Sequence, residues 1–113
     1  MILIKYQILE VAYSSGTNSF RKWLNFLPAN IAARIQARLY AAELGNLGDW
    51  KSIGDGVFEM RVHLSPGYRI YFGRDGKNIL LLLGGSIKRG QTRDIAKAKK
   101  HWREFKGDGH VTT

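Results

Sequence analysis

Residues 56–72, GVFEMRVHLSPGYRIYF, carry the pattern that most restricts how this chain can fold. Two runs of alternating apolar and polar residues flank a Ser-Pro-Gly turn signal, which predicts two antiparallel strands joined as a hairpin. The apolar residues of both runs fall on one face of this hairpin, at positions 58, 60, 62, 64, 68, 70 and 72. The fold therefore needs a sheet with at least one covered face.

The other face of the predicted hairpin collects cations. A turn centred on Pro66 places His63 opposite Arg69 and Arg61 opposite Tyr71. Opposed cations repel one another, an anion between them relieves the repulsion, and the planar arginine fork suits phosphate. We interpret this face as a phosphate-binding patch. The alternative is an ordinary solvated face on which each side chain independently keeps the sheet soluble.

The rest of the chain predicts one small α+β domain. Alternation at 2–8 indicates a strand, helical spacing at 20–27 and 31–42 indicates two consecutive helices, and the apolar run 79–83 indicates a central strand covered on both faces. A last helix begins near Thr92. The expected order is β-α-α-β-β-β-α, with an antiparallel sheet packed by an N-terminal helical hairpin and a C-terminal helix. We expect the domain to cover 1–106 and a frayed tail to cover 107–113.

Local signals place the ends of two helices and one loop. Thr17 or Asn18 is a candidate N-cap for the first helix, and Gly45 is a candidate C′ residue for the second. The segment GNLGDWKSIGDG at 45–56 has four glycines and no helical period. It is predicted to be a loop that leads into the sheet.

Net charge is the clearest functional signal in the composition. The chain has 18 Lys and Arg against nine Asp and Glu, a net charge of +9, which favours a polyanionic partner such as nucleic acid. It has no cysteine, so neither a disulfide framework nor a thiolate metal site is expected. The three histidines lack metal-ligand spacing, and we expect no metal and no cofactor. No membrane-spanning run or signal peptide is evident, so we expect a cytoplasmic protein without membrane association.

Further basic residues extend the predicted patch. Lys51 lies in the glycine-rich segment, and Lys88, Arg89 and Arg93 follow the predicted central strand. Trp50, next to Lys51, could stack on a base or could instead pack the loop onto the core.

Four segments together resemble the RelE/ParE toxin superfamily, and within it the HigB-like addiction module killer proteins. They are WLNFLPANIAARIQARL, GNLGDWKSIGDGVFEMRV, SPGYRIYF and LLLLGGSIKRGQTRDI, within a resemblance that covers about residues 3–105. The resemblance implies the toxin of a type II toxin–antitoxin system, a metal-independent endoribonuclease that cuts mRNA on the ribosome. The RNA's own 2′-OH attacks the neighbouring phosphate. A partner is implied too, a cognate HigA-like antitoxin with a helix-turn-helix.

The resemblance also implies roles for individual residues. Arg69 matches the family's catalytic arginine, Arg61 a basic residue of the preceding strand, and Lys88 with Arg89 the basic pair after the last strand. Lys51 matches an RNA-contacting lysine, and Tyr71, Trp50 and Arg93 are further candidates for RNA contacts. The family's tyrosine in the C-terminal helix has no counterpart, since Ile95 lies near that position. We therefore assign the general base to His63, with Tyr71 as second choice.

Two other functions remain open at the level of sequence. A ParE-like toxin would share the fold, inhibit DNA gyrase and lack the basic cluster. A non-catalytic nucleic-acid-binding domain would bind RNA with a strong dependence on salt and leave it intact.

Overall fold

The computed structural model describes residues 5–12, 15–87, 91–108 and 110–112. Within these residues the protein is an α+β domain of three helices and one six-stranded mixed sheet. The strands are β1 (Gln7–Ala12), β2 (Trp50–Gly54), β3 (Val57–Val62), β4 (Tyr68–Asp75), β5 (Ile79–Ile87) and β6 (His110–Thr112), and the helices are α1 (Ser19–Phe26), α2 (Ala29–Glu43) and α3 (Gln91–Asp108).

The sheet has the strand order β2-β3-β4-β5-β1-β6. Strands β3 to β5 form the predicted antiparallel meander, which β2 extends, but β1 pairs with β5 in parallel, so the prediction of an antiparallel sheet is wrong. Helices α1 and α2 connect β1 to the meander, and β5, the last strand of the meander, runs parallel to β1. Whether two strands pair in parallel depends on tertiary packing, and the local pattern of apolar residues does not indicate it.

Two strands were not predicted. The glycine-rich segment contains β2, an edge strand that pairs with β3 and is interrupted by a bulge between Ser52 and Gly54. The predicted tail contains β6, which pairs with β1. Both are short edge strands. Their hydrogen bonds to the neighbouring strands, β3 and β1, outweigh the weak β-propensity of their own residues.

The predicted signals at the helix ends are confirmed. Asn18 is the N-cap of α1, and its side chain accepts a hydrogen bond from the Arg21 backbone N–H at 3.0 Å. Gly45 follows the C-cap of α2 with φ +105°, a conformation that glycine adopts without steric cost.

The described residues form two core clusters, one on each face of the sheet. Helices α1 and α2 contribute to the first, which includes Phe20, Leu24, Ile35, Leu39, Met60, Ile70, Phe72, Leu80 and Leu82. Helix α3 covers the second, which includes Val57, Tyr71, Leu81, Leu83, Ala98 and Trp102. Successive residues of β5 alternate between the clusters, which confirms a central strand covered on both faces. Among the described helices, none is long and apolar enough to cross a membrane.

Two adjacent glycines of β5 give a matched test of this packing. A Cβ added to Gly85 would overlap the Trp23 ring, whereas a Cβ added to Gly84 would meet no atom within 4 Å. We expect Gly85→Ala to lower the free energy of unfolding by about 1–3 kcal/mol, as overpacking does. We expect Gly84→Ala to leave it nearly unchanged, because the new methyl has free space. Urea denaturation of both variants measures the difference, and equal stabilities would contradict the packing of α1 on β5.

Candidate functional site

The polar face of the β3–β4 hairpin has a different register from the one predicted. Arg61 lies directly opposite Arg69, and Glu59 lies opposite Tyr71. The prediction that His63 faces Arg69 is wrong, because β3 already ends at Val62 and His63 belongs to the turn. The turn is therefore longer than expected, and it moves the two arginines into direct opposition.

Glu59 is the anion that makes this opposition tolerable. Its side chain is 0% exposed, and its Oε2 accepts a hydrogen bond from Nη1 of Arg69, which is 12% exposed. Arg61 Nε lies 3.6 Å from the same oxygen, and Lys51, opposite Glu59 on β2, places its Nζ 3.9 Å from Oε1. A buried carboxylate is costly unless cations and hydrogen bonds surround it, and these three cations supply that compensation.

Strand alternation puts Glu59 on the polar face of the hairpin, but no role was predicted for it. The sequence signal for its role was that Glu59 is the one carboxylate of the hairpin face that also carries Arg61 and Arg69. Its presence changes the electrostatic interpretation, because the arginines already share an internal counterion. Among the described residues, no donor lies within hydrogen-bonding distance of Glu59 Oε1, so this oxygen depends on the more distant Lys51.

His63 and Asp49 form the rim of the site. His63 is 75% exposed, and its Nε2 lies 2.7 Å from Oδ2 of Asp49. Asp49 also lies 3.8 Å from Nη1 of Arg61. The hydrogen bond from His63 lowers the pKa of Asp49, and the nearby guanidiniums lower it further, so its carboxylate is ionised at neutral pH. An ionised Asp49 requires Nε2 to donate, which leaves Nδ1 of neutral His63 with a lone pair.

A shallow cavity of about 420 Å³ opens beside this rim. Arg61, His63 and Arg69 line it together with turn residues 64–67. Of the charged groups described here, the cations Lys51, Arg61 and Arg69 outnumber the carboxylates Asp49 and Glu59. The site is therefore a weakly cationic groove built around a carboxylate, rather than a patch of unopposed positive charge.

Tyr71 does not lie on a solvent face. Its ring belongs to the second core cluster and is 1% exposed, and its hydroxyl is 2.8 Å from Oγ of Ser86. Burial raises the pKa of the Tyr71 phenol. The expectation of an exposed tyrosine beside the arginines is wrong, because α3 covers this part of the face.

Trp50 lies on the face opposite to Lys51, its neighbour in β2. Its ring centroid is 5.7 Å from that of Phe58 and 6.5 Å from that of Phe72, and the guanidinium of Arg74 lies over it. Trp50 therefore packs on Phe58 and on the core residue Phe72, while 37% of the residue stays exposed. Base stacking on Trp50 stays a prediction. A base stacked on this ring would lie across the sheet from the groove.

The remaining predicted residues follow β5. Lys88 and Arg89 lie outside the described residues, and Arg93 is exposed near the start of α3. In the described part of the chain, no group of three or more His, Asp or Glu side chains is arranged to hold a metal ion.

The buried ion pair gives a prediction with an internal control. We expect Glu59→Gln to lower the free energy of unfolding by about 3 kcal/mol or more, because it leaves Arg69 without its countercharge. Glu10→Gln removes the carboxylate bonded to Arg21, which is 44% exposed, and should cost less than about 1 kcal/mol. Chemical denaturation measures both losses. Equal losses would show that Glu59 does not compensate the arginines as described.

No family model matches the chain. It is 39% identical over 84 residues to an uncharacterized protein of Haemophilus influenzae (strain Rd), and this alignment covers 74% of the chain and 85% of the relative. At this identity and coverage, the chain belongs to the same family as the Haemophilus influenzae protein.

Proposed function

We propose that the protein is the toxin of a type II toxin–antitoxin system and acts as a ribosome-dependent mRNA endoribonuclease. The observation that carries the proposal is the direct opposition of Arg61 and Arg69 at an open groove, with Lys51 on the adjoining strand. Three cations held on neighbouring strands suit a phosphodiester, whose charge increases during cleavage. The resemblance to RelE-like toxins supplies the substrate class, the ribosome as partner and the absence of a metal.

The reaction that fits this groove is an attack within the RNA itself. The 2′ oxygen of one ribose forms a bond to the neighbouring phosphorus, and the bond from phosphorus to the 5′ oxygen of the next nucleotide breaks. His63 Nδ1 accepts the 2′ proton, while Asp49 holds Nε2 and stabilises the imidazolium that forms. Water in the open groove supplies the proton for the departing 5′ oxygen.

The two arginines take different parts in this proposal. Arg69 is nearly buried and hydrogen-bonded to Glu59, so its position is fixed before substrate arrives. Arg61 is 32% exposed and contacts its carboxylates only at 3.6 and 3.8 Å, longer than hydrogen bonds. Arg61 can therefore turn to the phosphate at low cost. We propose that Arg61 contacts the phosphate and that Arg69, already held in place by Glu59, stabilises the negative charge that develops on it.

An antitoxin completes the proposal. A cytoplasmic toxin that cleaves mRNA needs a cognate inhibitor, and a helix-turn-helix antitoxin is the type that the resemblance implies. Covering the groove between Arg61 and the 64–67 turn would block substrate directly.

One observation favours a second function, a non-catalytic RNA-binding domain. Glu59 already neutralises part of the cluster, which weakens the field that would stabilise an extra negative charge. A ParE-like gyrase inhibitor is less compatible with the groove, because that activity needs no phosphate site at this position.

Removing Arg61, the more exposed of the two arginines, tests the proposal. We expect Arg61→Gln to lower the rate of reporter mRNA cleavage in a bacterial translation extract about 100-fold or more, as loss of one charge-stabilising donor does. Arg34→Gln removes the same charge from an exposed position on α2, which packs on the other face, and should cleave at the wild-type rate. Primer extension locates and quantifies the cuts.

Three results would contradict this assignment. Equal loss in both arginine variants would indicate a general charge effect. Wild-type protein that binds RNA without cutting it would favour the binding domain, and gyrase-dependent DNA breakage would favour the ParE-like function.

The base is tested by a second substitution in the same assay. We expect His63→Ala to slow cleavage by a factor of about 100 to 10,000, the range for loss of a positioned base. His63 is exposed and lies in the turn, so the free energy of unfolding should change little. Cleavage by His63→Ala at the wild-type rate would remove His63 from the mechanism.

A further inference from the structure

A second cavity, of about 290 Å³, lies between α1 and α3 beside β5. It exists because β1 pairs with β5 only along Ile79–Leu82, so that α1 flanks the later part of β5. Gly84 lines the cavity, and a Cβ added there would meet nothing within 4 Å. The volume is close to the lower end of the range for small-molecule sites, about 300 Å³.

The walls of this cavity combine aromatic rings with cations. Trp23 and Phe26 line it from α1, and the Phe26 side chain is 81% exposed, an unfavourable position for a large apolar ring. Lys22 on α1 and Lys97 on α3 are exposed on either side. Aromatic faces beside lysines are the combination that binds a base and its phosphate.

Asp94 also lines this cavity, and its carboxyl group can form hydrogen bonds with a ligand. It lies on α3, and it lines the cavity one helical turn from Lys97. Burial raises the pKa of the Asp94 carboxyl above its usual value, and Lys97 and Arg93 offset this shift only in part. A half-buried carboxylate is an acceptor that gains from ligand N–H donors.

The cavity adjoins the groove through Tyr71. Tyr71 lines the cavity, and Arg69 precedes it by two residues on the same face of β4, a spacing of about 7 Å along a strand. Glu59 lies opposite Tyr71 on β3. A ligand in the cavity would therefore lie about two residues of β4 away from a phosphate held at Arg69.

We propose that this cavity binds a guanine nucleotide, with Trp23 and Phe26 against the base and Asp94 accepting hydrogen bonds from its Watson–Crick edge. Guanine is the base that presents two adjacent N–H donors there, N1–H and the N2 amino group, to which a carboxylate bonds with both oxygens. Lys22 and Lys97 bind the phosphate. A free guanine nucleotide and a guanosine within single-stranded RNA share this chemistry, and the second source rests on the proposed function.

Nucleotide titration followed by NMR tests the site without ribosomes or cleavage. We expect GMP to shift the Trp23 indole and Gly84 amide signals and to bind about tenfold more tightly than UMP, AMP or CMP. Trp50, on the opposite face of the sheet, serves as the internal control and should not shift. Equal affinity for the four nucleotides, or shifts at Trp50 alone, would overturn the proposal.

Two substitutions separate the base contact from the cavity itself. Asp94→Asn should remove the preference for GMP while the protein stays folded, because Asp94 is only half-buried. Gly84→Leu should abolish nucleotide binding by filling the cavity, and Gly84→Ala serves as its folded control. Unchanged GMP binding in Asp94→Asn or in Gly84→Leu would place the ligand elsewhere.

The two sources of guanine are distinguished with short RNA. A hexanucleotide with one guanosine that competes with GMP, while the same RNA with uridine does not, assigns the cavity to RNA. GMP binding without such competition assigns it to a free nucleotide. If mRNA is cleaved and GMP does not bind, this inference fails and the proposed function stands; if GMP binds and mRNA stays intact, the proposed function fails.

Discussion

The ion cluster around Glu59 is the interaction on which both the sheet register and the candidate site depend. Side chains alternate between the faces of β3, so a shift of one residue would move Glu59 and Arg61 into the first core cluster and place Met60 among the cations. A shift of two residues to the predicted register, with His63 opposite Arg69, would move Arg69 away from Glu59 and leave a buried carboxylate without its hydrogen-bonded cation. The ion pair between Arg69 and Glu59 therefore disfavours that register relative to the observed one, in which Arg61 lies opposite Arg69.

This cluster also shows which parts of the structure the sequence could predict. Alternation in the hairpin, helix caps and the apolar run of β5 depend on neighbours in sequence, and these predictions are confirmed. The strand predicted at 2–8 is instead observed at Gln7–Ala12, and residues 2–4 lie outside the described part of the chain. The register of the hairpin depended on the size of its turn, and the turn signal at Ser65-Pro66-Gly67 did not show that His63 and Leu64 leave the strand. Edge strands β2 and β6, and the parallel pairing of β1, depend on partners distant in sequence, so local patterns could not reveal them.

The same limit applied to the site. The sequence identified Arg61, Arg69 and His63 as members of the cationic face, because period-2 alternation needs no tertiary information. It associated Lys51 with them only as part of a predicted loop. It could not show that α3 covers one part of that face, and so Tyr71 was assigned to solvent instead of the core. Nor could it show that Glu59 is buried, since an acidic residue on a basic face is compatible with an ordinary solvated sheet.

The partial covering of this face by α3 has a consequence for the chemistry. Its apolar part is buried, with the Tyr71 hydroxyl bonded to Ser86, while its polar part is open to water at His63. Arg69 lies at the boundary, where low exposure strengthens its interaction with Glu59 and the open groove still admits an anion. A phosphate that approaches there competes with Glu59 for the same guanidiniums, so it gains only the difference between two anion contacts. Binding at the groove alone should therefore be weak, and a substrate would need further contacts, such as those of a ribosome or of a neighbouring base site, to hold its phosphate in place.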